Sequence, residues 1–570
     1  MALVDCGNGV RLERGVECRL SDGTILVSDH YYPASQGPWP TLFMRQPYGR
    51  DIASTVVYAH PVWFARHGYH VAIQDVRGRG DSTGEFYPFR HEGRDGTESI
   101  AWLRTHSACN GRIGMYGFSY QGATQLLAAA EQPEGLVCIA PHMTAVDLYH
   151  GWFYHQGAFR LASTLGWGIQ MLREDARRKG LREASDKLEA AWTNIRSQSA
   201  VAPYLLHPAL AEAELPGYVR DWMTHREPSE YWTEQDISTR LARICVPALH
   251  ISGWFDTYLE GSIAGYVALH DHAGTEFARN NQYLLAGPWV HIPWGNRAGE
   301  ANFGEAANLN TDEVLLRWFD HWLKDAGTWN EEPRIRYFSL GSNEWRTAQE
   351  WPSEAEYSLY LHSSGNANSR KGDGILSRHA PDSDEPRDIF IYDPEVPVIA
   401  PGGQQALSGS FDQSAMELGN NLLVYTSTPV TCPVEVFGQP RIRLYATTSA
   451  PNADFTARLV RVTLNGRAEF LCIGIARGSW LFRDTTGYAS DIIHAWNFTL
   501  EPIAFTLAPG ERLRLEIASS AFPLYDRNPS NDIPAQFADN WNWARSTQQI
   551  LHNAANPSAI YLPTKGELGW

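Results

Sequence analysis

The sequence predicts a mostly parallel α/β sheet that is interrupted by a helical insertion and followed by an all-β domain. Three observations support this fold class. Short apolar strands alternate with helices up to about residue 145, a pattern typical of a parallel sheet covered on both faces. Long amphipathic stretches replace the strands from about 146 to 240. After about residue 330, short alternating segments divided by Gly, Pro and Asn turns indicate a β-sandwich or jelly roll.

The first 145 residues supply the strands and helices of the predicted sheet. In chain order these elements are a hairpin around Asp22-Gly23, a strand at 41–45, a helix near 54–67 that ends at Gly68, a strand at 69–75, a helix near 93–107, a strand ending at Phe118 and a strand at 136–140. The polar, glycine-rich loop 77–86 lacks both the Gly-Lys-Ser/Thr of a phosphate loop and the spacing of a dinucleotide fingerprint. We therefore expect that loop to be a structural turn.

The following stretches, at 152–171 and 174–197, are aromatic and amphipathic, and they predict helices that cover the carboxyl edge of the sheet like a cap. Strand character returns at 246–252 and 283–286, and an amphipathic helix at 312–323 closes the domain. The predicted domains are the α/β domain at 1–145 and 241–330, the helical cap at 146–240 and the all-β domain at 331–570.

Composition and charge exclude several classes of function. The chain has 570 residues, of which 43% are hydrophobic and 19% are charged, as expected for a globular protein. Its net charge of −17 argues against a nucleic-acid partner, because nucleic-acid binding needs clustered Lys and Arg. No apolar stretch reaches membrane-spanning length, so we expect no membrane partner. The oligomeric state stays open, a homo-oligomer included.

The cysteines and the N-terminus bear on the cellular compartment. The seven cysteines are scattered, and none forms a C-x-x-C pair, so neither zinc ligation nor a disulfide framework is expected. The N-terminus has no basic start followed by an apolar run, and we therefore expect no signal peptide. These features favour a cytoplasmic protein that needs no metal and no cofactor.

The residues most typical of a catalytic site lie at 113–130. This segment begins as an apolar strand, turns at Gly117-Phe118-Ser119-Tyr120-Gln121-Gly122 and continues as a helix of good formers. Such a turn lifts a serine hydroxyl above the edge of a sheet and points the free N–H groups of a helix at whatever binds there. We interpret Ser119 as a nucleophile, although this segment alone leaves an ordinary strand–helix turn open.

A serine nucleophile needs a base, and the base needs a carboxylate that orients it. In a doubly wound sheet these partners follow later strands in the order Ser, Asp, His. Two strand ends fit this order, because Gly253-Trp254-Phe255-Asp256 follows one strand and Gly287-Pro288-Trp289-Val290-His291 follows the next. The sequence therefore predicts a Ser119–His291–Asp256 triad.

Acyl transfer also needs donors for an oxyanion. The backbone N–H of Tyr120, at the start of the helix, is one candidate. The other should come from the loop after an early strand, Met44-Arg45-Gln46-Pro47-Tyr48-Gly49. That loop has no HGGG-type motif, so we interpret the Tyr48 hydroxyl as the second donor; simple packing of Tyr48 beside Pro47 is the alternative.

Six motifs occur in one order along the chain: Arg45-Gln46-Pro47-Tyr48, Ile73-Gln74-Asp75-Val76-Arg77-Gly78, Gly117-Phe118-Ser119-Tyr120-Gln121-Gly122, Gly253-Trp254-Phe255-Asp256, Gly287-Pro288-Trp289-Val290-His291 and Leu524-Tyr525-Asp526-Arg527-Asn528. In these motifs the chain resembles the bacterial cocaine esterase and α-amino acid ester hydrolase family, which is related to X-prolyl dipeptidyl aminopeptidases. The resemblance covers essentially the full length of the chain. The family elbow is G-x-S-Y-x-G, as here. The resemblance implies an α/β-hydrolase domain with an inserted helical cap and a C-terminal jelly roll, with the triad and oxyanion donors named above.

The resemblance also implies residues that contact the substrate. Trp167, in Leu165-Gly166-Trp167-Gly168, matches a cap tryptophan that lines the acyl pocket. In the family, a glutamine and a phenylalanine occupy two further pocket positions. In this chain those positions fall near Val57 and Tyr258, so both look changed. Phe118, beside the serine, completes the expected substrate contacts. Because of these changes, we do not assume that this chain acts on the same substrate.

Three functions are weighed. The main one is a serine hydrolase that cleaves a carboxylic ester, or an amide, of a small molecule through an acyl-enzyme. The second is an α-amino acid ester hydrolase or X-prolyl dipeptidyl aminopeptidase, which needs carboxylates for the substrate ammonium; Glu227 and Glu230 are weak candidates. The third is a glycan-binding protein that uses the jelly roll, and the Ser, Asp, His order argues against it.

Overall fold

Two large sheets organise the fold. The computed structural model describes residues 3–51, 55–352, 357–403, 408–485, 488–564 and 569–570, with the side chain of residue 330 left aside. The elements up to the first insertion are β1 (Val4–Asp5), β2 (Arg11–Arg19), β3 (Ile25–Tyr32), β4 (Trp39–Gln46), α1 (Pro61–Arg66), β5 (His70–Asp75), α2 (Glu92–Thr105), β6 (Cys109–Phe118), α3 (Tyr120–Ala130) and β7 (Leu136–His142).

The N-terminal elements follow the prediction, with one difference at α1. The hairpin turns at Asp22-Gly23 between β2 and β3, as predicted. Helix α1 begins only at Pro61, whereas the pattern predicts a start near residue 54, which lies outside the described residues. Proline suits a first helical turn because its missing N–H would have no partner there, and the His60 side chain accepts a hydrogen bond from the Val62 N–H. The proline thus sets the start of the helix.

The glycine-rich loop 77–86 is held by ion pairs. The Arg77 guanidinium binds Asp95 at 2.7 Å and Asp22 at 2.8 Å, and Asp81 accepts from Arg50 at 2.7 Å. These contacts fit the structural turn predicted for this loop.

The insertion is mainly helical, as predicted. Its elements are β8 (Tyr154–His155), β9 (Ala158–Phe159), α4 (Leu161–Arg178), α5 (Arg182–Thr193), α6 (Ile195–Gln198), α7 (Tyr218–Thr224) and α8 (Glu230–Thr233). Helix α4 is amphipathic, and its apolar side joins the cluster of buried residues that also contains the apolar sides of α2 and α3. The insertion therefore packs directly on the helices that flank the serine turn.

The chain then returns to the first sheet. The elements are β10 (Ala248–Phe255), α9 (Leu259–His272), α10 (Glu276–Arg279), β11 (Gln282–Val290), β12 (Arg297–Ala298), β13 (Ala301–Asn302), α11 (Thr311–Lys324), β14 (Ile335–Ser339) and β15 (Glu344–Ala348). The strand order is β1-β2-β3-β5-β4-β6-β7-β10-β11-β14-β15, and the strands from β5 to β14 are parallel neighbours. Strands β14 and β15 belong to this sheet, although the pattern assigns residues after 330 to the second domain.

The rest of the chain is strand-rich, as predicted. The elements are β16 (Tyr357–His362), β17 (Ile375–Ser377), β18 (Asp388–Tyr392), β19 (Leu423–Ser427), β20 (Val434–Gly438), β21 (Arg441–Thr448), β22 (Asp454–Val462), β23 (Ala468–Arg477), α12 (Gly478–Leu481), β24 (His494–Thr499), β25 (Ile503–Leu507), β26 (Arg512–Ala518), β27 (Ser546–Leu551) and β28 (Ala559–Leu562). An Asn465-Gly466 turn joins β22 to β23.

Helices cover both faces of the first sheet. Helices α1 and α11 pack on one face through Phe64 and Phe319, and α2 and α3 pack on the other through Ile100 and Leu126. Double coverage explains why the parallel strands are apolar throughout. Within the described part of the chain, every helix is too short or too polar to cross a membrane.

Candidate active site

The serine turn has the geometry of a nucleophile elbow. Strand β6 ends at Phe118 and α3 begins at Tyr120, so Ser119 alone makes the turn, at φ 62° and ψ −128°. A positive φ is unfavourable for a residue with a Cβ and is maintained only where the surroundings fix it. Here the Ser119 N–H donates to the His142 carbonyl at 2.9 Å. The backbone therefore presents the serine at the carboxyl end of the parallel strands.

Close packing explains the position of the second glycine. A Cβ on Gly122 would lie 2.8 Å from the Thr144 side chain and 3.0 Å from the His142 carbonyl oxygen. Helix α3 can approach β7 this closely only if residue 122 has no side chain. The G-x-S-Y-x-G spacing thus follows from the contact between the helix and the strand.

An aspartate–histidine pair follows the next two strands. Asp256 comes directly after β10 and is fully buried. Its Oδ2 lies 2.5 Å from Nδ1 of His291, and its Oδ1 accepts from the Tyr258 N–H at 2.7 Å. His291, directly after β11, keeps 26% of its side chain exposed. With Nδ1 donating to the carboxylate, Nε2 is the ring atom left for proton transfer.

The serine and the pair lie along one edge of the sheet. Strands β6, β7, β10 and β11 are parallel neighbours, so their carboxyl ends meet at that edge. The His291 ring lies between two aromatic rings, with centroid distances of 5.2 Å to Phe118 and 5.3 Å to Tyr258. Because Phe118 directly precedes Ser119, these contacts bring the imidazole beside the serine turn.

The predicted oxyanion donors lie on two other elements. Tyr48 follows β4, and its hydroxyl accepts from Nε1 of Trp167 at 3.2 Å. Desolvation raises the pKa of Tyr48 to about 12, although the polar groups of Trp167 and Ser119 oppose this shift. A neutral phenol at physiological pH can donate to a developing negative charge.

Tyr120 contributes through its backbone. As the first residue of α3, it carries an N–H with no acceptor inside the helix. Its phenol is occupied elsewhere, because it donates to Glu92 at 2.7 Å and accepts from the Phe89 N–H at 2.9 Å. These bonds orient the first turn of α3 and leave the N–H as the group that Tyr120 can offer.

Aromatic rings of the insertion lie at this edge of the sheet. Trp167, on α4, stacks on Trp222 of α7 with ring centroids 5.1 Å apart and an interplanar angle of 7°. Tyr258 stacks on Trp152 at 3.9 Å, and Trp152 is 5.8 Å from Trp167. Trp152 and Trp222 were not predicted as site residues, and the aromatic richness of the insertion is the only sequence signal for them.

Val57 packs against a different apolar cluster from these rings. It is half-buried and lies against the cluster that contains Tyr58 and Phe118. Its contact with substrate stays a prediction.

The carboxylates of the aminopeptidase hypothesis lie elsewhere. Glu227 lines a cavity of about 460 Å³ whose other walls include Arg226, Arg477 and Trp480. None of the described residues lining that cavity is Ser119, Asp256 or His291. Glu230 is exposed at the start of α8. Among the described residues, no hydrogen bond or ion pair joins either carboxylate to Ser119, Asp256 or His291.

The start of α4 is tied to the C-terminal part of the chain. The Leu161 N–H donates to the Leu524 carbonyl at 3.0 Å, and the Phe159 N–H donates to Asp526 at 3.0 Å. Asp526 in turn binds the buried Arg477 at 2.8 Å. The Leu524–Asn528 motif thus holds the helix that carries Trp167.

Comparison with known proteins places this site in a family. Residues 22–293 match the family described as X-Pro dipeptidyl-peptidase (S15 family), and residues 327–560 match the X-Pro dipeptidyl-peptidase C-terminal non-catalytic domain. The chain is 32% identical to the cocaine esterase of Rhodococcus sp. (strain MB1 Bresler), over 95% of this chain and 97% of that protein. The chain belongs to the cocaine esterase family. The serine ester hydrolase class predicted from the sequence is confirmed by this membership.

Solved structures share the fold of this cocaine esterase family member. An aminopeptidase from the marine sediment archaeon Thaumarchaeota archaeon superposes with a TM-score of 0.82 at 24% identity, over 97% of this chain and 96% of that one. An α-amino acid ester hydrolase superposes with a TM-score of 0.79 at 23% identity, over 99% and 98%. The α/β-hydrolase fold followed by a strand-rich domain is thereby confirmed.

Proposed function

We propose that the protein hydrolyses carboxylic esters of small molecules through an acyl-enzyme on Ser119. In this mechanism His291 is the general base and Asp256 orients it. The single observation that carries the proposal is the 2.5 Å contact between Asp256 and His291 at the sheet edge where Ser119 turns. A buried carboxylate that fixes one imidazole nitrogen leaves the other to accept a serine proton.

The first half-reaction would proceed as follows. The Ser119 oxygen attacks the ester carbonyl while His291 Nε2 takes the hydroxyl proton, and the carbonyl oxygen becomes an oxyanion. The Tyr48 hydroxyl and the Tyr120 N–H donate hydrogen bonds to that oxygen. The tetrahedral intermediate then collapses, the bond to the alcohol oxygen breaks, and His291 returns the proton to the departing alcohol.

The second half-reaction reverses these roles with water as the nucleophile. His291 takes a proton from water, the hydroxide attacks the acyl carbonyl, and Ser119 leaves with the proton from His291. The acid is released and the serine is restored. An amide would follow the same steps with an amine as the leaving group.

The surroundings of Tyr48 support an apolar group on the substrate. Trp167, which donates to the Tyr48 hydroxyl, stacks on Trp222, and Tyr258 lies beside His291. Aromatic walls with a few fixed polar groups are typical of small-molecule sites. We propose a cytoplasmic location as well, because all seven cysteines are free thiols, as in a reducing compartment.

The experiment compares two serine variants with p-nitrophenyl esters. Ser119→Ala should abolish turnover, because the nucleophile is removed, while the thermal unfolding midpoint stays close to that of the wild type. Ser252→Ala is the matched control, since this β10 serine is buried and has no hydrogen-bond partner among the described residues. It should keep full activity. Retained turnover in Ser119→Ala, or failure of a fluorophosphonate to label Ser119, would contradict the proposal.

A further inference from the structure

Three histidines meet at the edge of the first sheet opposite to the serine. His30 and His70 are fully buried, and His106 is half-buried. One nitrogen from each ring lies within 4.8 Å of the other two. His70 begins β5, whereas Ser119 follows the end of a parallel strand, so a strand length of roughly 20 Å separates the two edges.

The fold brings these histidines together from three elements. His30 on β3 pairs with Ala72 on β5, so His70 is two residues away and on the same face. His106 is the residue that ends α2, the helix that covers this face. They are far apart in sequence, which is why no metal-ligand spacing reveals them.

Hydroxyl groups hold the outer nitrogens of the two buried rings. The Ser28 hydroxyl donates to the Val16 carbonyl at 3.3 Å and lies 2.8 Å from His30 Nε2. In the tautomer in which the Ser28 hydroxyl keeps its proton on the Val16 carbonyl, Ser28 accepts from Nε2–H and the lone pair of His30 is on Nδ1. That atom lies 2.9 Å from His70 Nε2. The outer nitrogen of His70 lies 3.0 Å from the Thr41 hydroxyl.

The Thr41 hydroxyl allows two proton arrangements at His70. When Thr41 donates to Nδ1, the Nε2–H of His70 bonds to His30. When Thr41 accepts from Nδ1–H, both inner nitrogens present lone pairs to the same point, an arrangement that needs a cation between them. Hydrogen bonds of this kind to the outer nitrogen are typical of metal-binding histidines.

Burial disfavours the charged form of all three rings. It lowers the pKa of His30 well below its usual range and lowers that of His70 to about 3, and the neighbouring histidines add to both shifts. Burial also lowers the pKa of His106.

Aromatic rings enclose the cluster and leave one side open. Tyr32 stacks on His70 at 5.2 Å with an interplanar angle of 3°, and Trp102 meets His30 edge-on at 5.8 Å. Only His106 reaches solvent among the three histidines, so a cation would enter beside it. An apolar shell around polar ligands lowers the local dielectric and limits how much water reaches the site.

We propose that His30, His70 and His106 bind one divalent transition-metal cation of the Zn²⁺ type, with water as the fourth ligand. Tetrahedral ligands at 2.0–2.1 Å from zinc keep neighbouring nitrogens roughly 3.3 Å apart. His30 and His70 therefore need to separate by a few tenths of an ångström, and His106, at a helix end, moves inward. Three imidazoles are a donor set that suits Zn²⁺, Co²⁺, Ni²⁺ or Cu²⁺.

The test uses the full chain after removal of metal with a chelator. Titration with Co²⁺, followed by its visible absorption, should show one ion per chain, which Zn²⁺ then displaces. His106→Gln should weaken binding by at least about 100-fold, because it removes a direct ligand. Ser28→Ala should weaken it by roughly 10–100-fold, the usual effect of losing a group that orients a ligand.

His67→Gln is the matched control, because His67 ends α1 as His106 ends α2 but lies outside the cluster. It should bind Co²⁺ like the wild type. The unfolding midpoint should rise with Zn²⁺ in the wild type and in His67→Gln, and not in His106→Gln. Equal Co²⁺ affinity in His106→Gln and the wild type, or no stoichiometric binding to the wild type, would overturn the proposal and leave the histidines as a hydrogen-bonded chain.

Discussion

Replacing Tyr48 with phenylalanine removes one oxygen and tests the proposed oxyanion site directly. The hydroxyl accepts from Trp167 Nε1 at 3.2 Å, and the Ser119 side chain lowers its pKa against the larger effect of burial, which raises it. In the reaction it would donate to the oxyanion, and losing one such donor costs about 10²–10³-fold in kcat. We expect a kcat about 10²-fold lower with KM little changed, because the donor acts on charge that develops only in the transition state.

The same substitution also affects a hydrogen bond and the stability of the protein. Tyr48→Phe leaves the Trp167 N–H without its acceptor, which costs roughly 1–3 kcal/mol if water does not replace it. Trp167 is half-buried, so we expect the lower end of that range. Because the pKa of Tyr48 is raised to about 12, the phenol stays neutral around pH 7–9, and the wild-type rate should show no change from its ionisation there.

The assay is steady-state hydrolysis of p-nitrophenyl esters, together with urea unfolding of each variant. Trp167→Phe is the control, because it removes the same hydrogen bond from the other side and keeps the Tyr48 hydroxyl. It should lose less kcat than Tyr48→Phe does. An unchanged kcat in Tyr48→Phe, or equal losses in the two variants, would remove Tyr48 from the oxyanion site.

Three further predictions concern Asp256, the second glycine of the serine turn and His552, which follows β27. Asp256→Asn should lower kcat roughly 10⁴-fold with the fold intact, since the amide favours the wrong imidazole tautomer; a loss under tenfold in ester turnover would contradict this. Gly122→Ala should destabilise the protein by about 1–3 kcal/mol in urea unfolding, because its methyl would lie 2.8 Å from Thr144. Gly166→Ala should not, because its methyl would meet Ile195 at 3.4 Å, an ordinary van der Waals contact. Burial alone would lower the pKa of His552, but its hydrogen bonds to Asp388 and Glu385, each at 2.9 Å, raise it. Because the pKa of His552 is higher in the folded than in the unfolded protein, this stabilisation is complete below the unfolded pKa and is lost as pH rises through the folded pKa. The free energy of unfolding, measured across that pH range, should fall in the wild type and not in His552→Gln. Parallel profiles of the two proteins would refute this prediction.

Much of the site could be predicted because the elements that carry it are local. A strand followed by a glycine turn places its next polar side chain at the sheet edge, so Ser119, Asp256 and His291 could each be located from a short segment. Their order along the chain then supplied the assignment. The oxyanion donors needed the resemblance as well, because nothing in Pro47-Tyr48-Gly49 distinguishes a donor from a packed ring.

The rest depends on contacts between distant segments. The alternation in Arg334-Ile335-Arg336-Tyr337-Phe338 predicts a strand, but it carries no information on which sheet the strand joins. In the structure this strand is β14, which pairs with β11 of the first sheet. Trp152 and Trp222 become site residues only when the insertion folds over the edge. His30, His70 and His106 converge through strand register and a helix end, neither of which a spacing pattern records.

The hydrogen bonds between the start of α4 and the Leu524–Asn528 motif connect the C-terminal part of the chain to the candidate active site. That part supplies none of the groups proposed to react. A shortened protein that ends before residue 330 would lose the carbonyl of Leu524 and the carboxylate of Asp526, so the first turn of α4 would be unanchored. The indole of Trp167 would then no longer hold its place over Tyr48. We therefore expect partial proteolysis that releases the C-terminal part of the chain to abolish ester turnover, even where the triad survives.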